Sequence, residues 1–301
     1  MVSGSKSPGM RDDRTHVSNH IGRFAPSPTG PLHLGSLVAA VGSWLFARKA
    51  NGRWLVRMED LDRPRVVPGA DREILDALRR YGLTWDGQVM VQSQRIKAYE
   101  AALRTLRQRG LVFDCACSRA ELLRAASAPA SSDPVELIYP GTCRAGLSRG
   151  RVARSIRFRA AGAIAFDDEV AGRVEEDVAR MTGDFVIKRA DGVFAYQLAV
   201  VVDDEAQGVT QVVRGADLLS STARQIALQR ALGYRTPEYA HLPLVVDKLG
   251  AKIGKRGGAL PLPSLDELRV METLQLALRA LGIDVERDAP AKMLEEALAK
   301  L

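Results

Sequence analysis

Residues 21–58 constrain the fold more tightly than any other stretch. IGRFA (21–25) reads as a short strand. It runs into RFAPSPTGPLHLGSL (23–37), where three prolines, two glycines and His33 form a corner that belongs neither inside a helix nor in a central strand. Leu34, Leu37, Val38, Val41 and Leu45 then follow helical spacing, Asn51-Gly52 ends the helix, and WLVRM (54–58) reads as a second strand. A strand, helix and strand within about 40 residues make a βαβ unit, which implies a parallel sheet with a right-handed crossover. The expected fold class is therefore α/β.

The chain has 301 residues, 46% of them hydrophobic, enough for a large core in two domains or one elaborated domain. The net charge of +7 permits a polyanionic partner without requiring one. The most apolar run, 34–47, is broken by glycines and serines and falls short of the roughly 18 residues of a membrane span. MVSGSKSPGMRDDRTHVSN has no apolar core and reads as a disordered tail over 1–20. Three cysteines, two of them spaced Cys-x-Cys, argue against a disulfide scaffold and for a reducing cytoplasm.

Further helices are expected at Asp71–Tyr81, closed by Gly82, and at Tyr99–Arg109, closed by Gly110. Between Cys115 and Gly192 the composition shifts to Ala, Ser, Arg and Gly, with strand candidates SIRFRA and AIAFDD, and reads as an insertion. LAVVVDD (198–204), VTQVVRG (209–215) and LPLVVD (242–247) read as buried strands, with a helix from Leu219 to Gly233 between the last two. The final 35 or so residues read as helical. The expected organisation is a first catalytic half at 21–110, an inserted domain at 111–192, a second catalytic half at 193–260 and a helical segment at 261–301.

A strand-to-helix corner is an anion site, because the first helical N–H groups lack partners and the helix dipole is positive there. Pro26, Pro28 and Pro31 would stiffen it, Gly30 and Gly35 would admit a ligand, and His33 would donate to a phosphate. The same residues would also serve a proline-rich turn with a surface histidine. A second loop, KLGAKIGKRGGA, sets Lys252, Lys255 and Arg256 among glycines after an expected strand, as a loop closing on a polyphosphate requires. Alone it would equally be a solvated basic loop. Cys115, Cys117 and Cys143 with Tyr139 offer three thiolates and one oxygen for a tetrahedral metal, or else are small core side chains. Asp203-Asp204-Glu205 reads as a solvated strand end or a partner for arginines. Asp60 and Asp62, flanked by Arg57, Arg63 and Arg65, read as ion-paired. The arginines of 144–159 offer a basic face for RNA.

RFAPSPTGPLHLGS resembles the HIGH signature of class I aminoacyl-tRNA synthetases in its glutamyl/glutaminyl form, with His33-Leu34-Gly35-Ser36 at the HIGH positions. KIGKR (Lys252–Arg256) resembles KMSKS, and WLVRMEDLDRPR and AYQLAVVVDD…VVRGADLL resemble that family's amino-acid-binding segments. The likeness runs in order from Gly22 to Ala259. It departs at Gly254, where the family usually has serine, and at Val200, where full-length enzymes commonly carry asparagine. Only 45 residues follow Arg256, too few for an anticodon-binding domain. In this the chain resembles the glutamyl-Q tRNA(Asp) synthetases, which activate glutamate without tRNA and attach it to the queuosine base at the wobble position of tRNA(Asp).

The resemblance implies a Rossmann-like parallel-sheet nucleotide-binding core, a zinc-bearing insertion and a cytoplasmic enzyme, taken as a monomer. Its substrates would be ATP with Mg²⁺, L-glutamate and tRNA(Asp) bearing queuosine. His33, Lys252 and Lys255 would be catalytic, with His33, Gly35 and Lys255 at ATP. L-Glutamate would meet Arg23, Phe24, Ala25, Pro26, Ser27, Glu59, Tyr196 and Arg214, the arginines taking carboxylates and Glu59 the ammonium. Cys115, Cys117, Tyr139 and Cys143 would hold zinc. A compact glutamyl-tRNA synthetase charging the 3′ end of tRNA(Glu) and a non-catalytic RNA-binding relative remain open at this point.

Overall fold

The computed structural model describes residues 19–125, 138–244, 262 and 266–301. Lys252, Gly254, Lys255 and Arg256, and with them the KMSKS-like loop, lie outside the described residues.

The expected βαβ unit forms as β1 (Ile21–Phe24), α1 (Leu34–Lys49) and β2 (Arg53–Met58), with β1 and β2 parallel and Arg23 opposite Leu55. Asn51, at φ 50°, turns the chain out of α1. The chain continues through α2 (Ala70–Arg80), β3 (Met90–Val91), α3 (Ile96–Gln108), β4 (Val112–Cys115) and α4 (Arg119–Ala125). After the first undescribed gap come β5 (Ser155–Phe158), β6 (Ala163–Asp168), β7 (Gly172–Asp177), α5 (Val178–Met181) and β8 (Phe185–Lys188). Then follow α6 (Tyr196–Gln207), β9 (Gln211–Gly215), α7 (Leu219–Leu232) and β10 (Glu238–Leu242), and finally α8 (Glu267–Ala280) and α9 (Pro290–Ala299).

One sheet has the order β1-β2-β3, a second β7-β6-β10-β9, and a third, antiparallel, β4-β5-β8. In the second sheet β10 runs parallel to both β9 and β6. The first two sheets lie side by side, because Thr210 N–H, just before β9, donates to Ile21 O at 2.9 Å. The segment between Cys115 and Gly192 therefore feeds two sheets: β5 and β8 complete the antiparallel one, while the β6–β7 hairpin extends the parallel one beside β10.

α1 is buried on nearly every side, Leu37, Ala40, Val41 and Leu45 being at most 1% exposed. Its inner side lies on the sheet and its outer side under α8 and α9, whose Leu274, Leu278, Met293 and Leu294 join its core. A Cβ at Gly42 would stand 2.4 Å from Leu242 Cδ1, so glycine there lets α1 lie against β10 without displacing the Leu242 side chain.

Two expected strands are corrected. LAVVVDD is not a strand: it forms the middle of α6, which Gly208 closes in the left-handed conformation at φ 68°. Its apolar run is buried all round, and an all-apolar run carries no period that separates strand from helix. Val200 accordingly lies in a helix. The strand expected at 242–247 ends at Leu242 and consists of EYAHL; residues 245–247 lie outside the described residues.

Candidate active site and cysteine cluster

The Pro/Gly corner, the N-terminus of α1, the start of α6 and the ends of β9 and β10 enclose a cavity of about 390 Å³. Of the expected site residues, Arg23, Phe24, Ala25, Pro26, Ser27, His33, Gly35, Tyr196 and Arg214 all line it. Glu59 does not, although its N–H donates to Pro26 O at 2.9 Å and so ties the end of β2 to the corner. Lys252 and Lys255 lie outside the described residues.

His33 is the N-cap of α1. Its Nδ1 accepts from Ser36 N–H at 3.2 Å, and its Nε2 stands 3.0 Å from the Ser36 hydroxyl. With Nδ1 accepting, a neutral ring carries its proton on Nε2. The first turn of α1 contains no acidic residue, so its positive end is not neutralised from within the helix.

The two pocket arginines are held differently. Arg23, 3% exposed, gives its Nε to Asp204 Oδ1 at 3.1 Å, and its terminal nitrogens make no hydrogen bond among the described residues. Asp204 also accepts from Arg57 Nη1 at 2.8 Å, and Arg57 lies 3.4 Å from Glu59 Oε1. Burial would raise Asp204, but Arg23 and Arg57 outweigh it and hold the carboxyl below its ordinary range. For Glu59 burial wins over Arg57 and Arg23, and its pKa is raised. Asp203 is wholly buried and accepts from Tyr99 Oη at 2.6 Å, Gln92 Nε2 at 3.0 Å and Arg95 Nε at 3.1 Å. The solvated reading of Asp203-Asp204 is thus replaced by the other, partners for arginines. Asp62 pairs with Arg65, whereas Asp60 accepts from Ser93 N–H at 2.8 Å.

Arg214, 4% exposed, meets only neutral acceptors among the described residues. Nε donates to His241 Nε2 at 3.0 Å, Nη1 to Tyr196 Oη at 3.3 Å, and Nη2 to Thr222 Oγ1 at 2.9 Å and Leu218 O at 3.3 Å. Behind it, His241 Nδ1 lies 2.5 Å from Asp168 Oδ2. Burial, then Arg214, lower the pKa of His241 despite that carboxylate. Sequence reasoning missed Asp168, Thr222 and His241. They are 19 to 73 positions apart and share no motif; the one available signal was that His241 is one of only four histidines.

In the insertion the sulfur atoms of Cys115, Cys117 and Cys143 lie within 4.8 Å of one another. Cys117 and Cys143 are 3.7 Å apart, close to the edge of about 3.8 Å of a tetrahedron with ~2.3 Å metal–sulfur bonds. The Tyr139 hydroxyl is 3.5 Å from Cys115 Sγ and 3.8 Å from Cys117 Sγ, and accepts from Cys143 N–H at 2.7 Å. Burial opposes ionisation of Cys115, yet the Tyr139 hydroxyl, the Cys117 N–H and Arg157 bring the thiol down to about 7. Cys117 is pushed up to about 11 by burial and by Cys143. The donor set and its spacing fit a tetrahedral metal.

A family model for tRNA synthetases class I (E and Q), catalytic domain, matches residues 21–288. The chain belongs to this synthetase family. Among curated relatives, it is 59% identical over 265 residues to the glutamyl-Q tRNA(Asp) synthetase of Geobacter sulfurreducens, covering 87% of this chain and 84% of that one. It is 56% identical over 279 residues to that of Thiobacillus denitrificans, covering 91% and 90%. Among solved structures, a glutamate-tRNA synthetase from Elizabethkingia anophelis superposes with a TM-score of 0.70 at 29% identity, covering 79% of this chain and 53% of that one. A glutamate tRNA ligase from Elizabethkingia meningosepticum, in complex with its amino acid, gives 0.76 at 26%, covering 92% and 64%. This class I synthetase is a ligase-type enzyme. No helix among its described residues is long and apolar enough to cross a membrane.

Proposed function

We propose that this synthetase activates L-glutamate with ATP, without tRNA, and passes the glutamyl group to the queuosine base of tRNA(Asp). The observation that carries the reading is that two buried arginines whose donors are not all spent among the described residues, Arg23 and Arg214, line one cavity with the N-terminus of α1. A dicarboxylic amino acid beside a triphosphate needs that set. Arg23 offers its terminal fork to one carboxylate. Arg214 keeps one Nη1 hydrogen, and Tyr196, which accepts from Arg214, keeps its own proton, so together they offer two donors to the other carboxylate. Glu59, outside the cavity lining but tied to its corner through Pro26, would turn inward to take the ammonium. The names of the relatives direct the product to tRNA(Asp).

The glutamate α-carboxylate attacks the α-phosphorus of ATP in line. Pyrophosphate leaves and glutamyl-adenylate remains; the queuosine base then takes the glutamyl group and AMP departs. Catalysis is positioning plus charge stabilisation, by His33, the α1 N-terminus, Lys252 and Lys255. Mg²⁺ enters with ATP and neutralises phosphate charge. Cys115, Cys117, Tyr139 and Cys143 hold a structural zinc that ties the insertion together. The enzyme works in the cytoplasm as a monomer.

The test supplies ATP and labelled glutamate with tRNA(Asp), bearing or lacking queuosine, and in a parallel reaction with tRNA(Glu). Pyrophosphate exchange without tRNA, and alkali-labile label on the wobble base only when queuosine is present, are expected. Label on the 3′ end of tRNA(Glu) overturns the reading in favour of ordinary charging.

A further inference from the structure

The parallel pair β6 and β10 sets Asp168 beside His241, and His241 reaches Arg214 on the neighbouring β9. All three side chains are buried. A guanidinium can only donate, so His241 Nε2 must accept from Arg214 Nε, and the ring proton must sit on Nδ1, facing Asp168. Asp168 enforces this. Its Oδ1 is already committed to the N–H groups of Val170, Ala171 and His241 at 3.1, 2.8 and 3.1 Å, which leaves Oδ2 to take the imidazole proton.

The contrast with Arg23 and Arg57 gives the arrangement its meaning. Those two share the carboxylate of Asp204, which quenches part of their charge. Arg214 is gripped as firmly, but by an imidazole, a hydroxyl and a carbonyl, so its orientation is fixed and its charge is left for a ligand. We infer that Asp168 and His241 are positioning residues for the amino-acid substrate: through a fixed tautomer they lock the Arg214 guanidinium in the plane that receives a carboxylate. The inference rests on the proposed glutamate site, and it makes the β6–β7 hairpin part of the specificity apparatus.

Three arms test it. In the unmodified enzyme, ¹⁵N NMR of the imidazoles should show one neutral ring protonated at Nδ1 and absent from His241→Gln; if the signal that His241→Gln removes is instead protonated at Nε2 or at both nitrogens, the inference is overturned, with or without activity. Asp168→Asn keeps the volume. Because the Oδ1 position must stay an acceptor, the new amide nitrogen faces His241 Nδ1 and drives the proton to Nε2, against Arg214. The KM for glutamate in ATP–pyrophosphate exchange should rise about tenfold or more while that for ATP changes less than about twofold. His241→Gln, whose amide oxygen can replace the Nε2 acceptor, should retain more glutamate affinity than His241→Phe, which cannot. Equal effects on both KM values, or equal loss in the two His241 variants, would reduce the network to a packing role. Absence of glutamate-dependent exchange in the unmodified enzyme would instead refute the proposed function.

Discussion

Arg23 and Arg214 stand in one cavity on different terms, and their substitution should tell them apart. Arg214→Lys keeps the charge but loses the planar fork that His241, Thr222 and Tyr196 hold. It should raise the glutamate KM roughly 30-fold or more, consistent with about 2–3 kcal/mol for a charged, oriented hydrogen-bond set; pyrophosphate exchange at saturating ATP measures it. Asp204→Asn removes the partner of two buried guanidinium groups, and about 3–5 kcal/mol of stability should go with it at pH 7. Asp204 is held below its unfolded pKa, so its contribution is complete above pH about 4 and is lost as pH falls through the lower native value. The variant's Tm should therefore approach that of the parent as both are acidified from pH 5, which differential scanning calorimetry would follow. In the loop outside the described residues, Lys255→Ala should slow exchange by about 100-fold, since one preorganised donor is worth about 3 kcal/mol. These partnerships could not be read from the chain. Arg57 and Asp204 are 147 positions apart, and a run of charges looks the same whether it is solvated or locked in pairs.

Element by element, legibility followed the pattern signal. β1, α1 and β2 were readable because helical spacing between two short apolar runs admits one arrangement. α6 was misread because Leu198 to Val202 are apolar without period, although Gly208 marked its end. β10 was displaced because EYAHL carries a glutamate and a histidine and looks less like a strand than the LPLVV after it. The thiols of the insertion were readable from spacing and resemblance, and they do meet. Purified enzyme should contain about one zinc per chain, and Cys117→Ser should lower both metal content and Tm; elemental analysis and a thermal scan decide, and a stable, zinc-free parent would refute the assignment. Gly42→Val should cost about 1–3 kcal/mol, because its side chain would drive α1 off Leu242, next to His241. A denaturant melt would read this directly.

Across the whole molecule, the cavity wall is a composite of distant stretches: the corner after β1, the start of α6, the ends of β9 and β10, and Asp168 of β6 behind them. α8 and α9 close the outside of α1 with Leu274 and Leu294, at most 1% exposed. Leu274→Ala and Leu294→Ala should each cost about 2–5 kcal/mol in urea melts although neither touches the cavity. The charge of +7 matters here only as a permissive background for an RNA ligand.

The carboxylate of Asp204 has a consequence for biosynthesis. The first strand–helix–strand unit leaves the ribosome early, yet Arg23 inside it gains its counter-charge only when residue 204 emerges, Arg57 until then has Glu59 alone, and the far side of the unit's helix is roofed by α8 and α9, made later still. The N-terminal third of the chain therefore cannot reach its native state ahead of the rest. Nascent chains arrested before residue 204 should be cut readily by protease, and protection should arrive late and in one step.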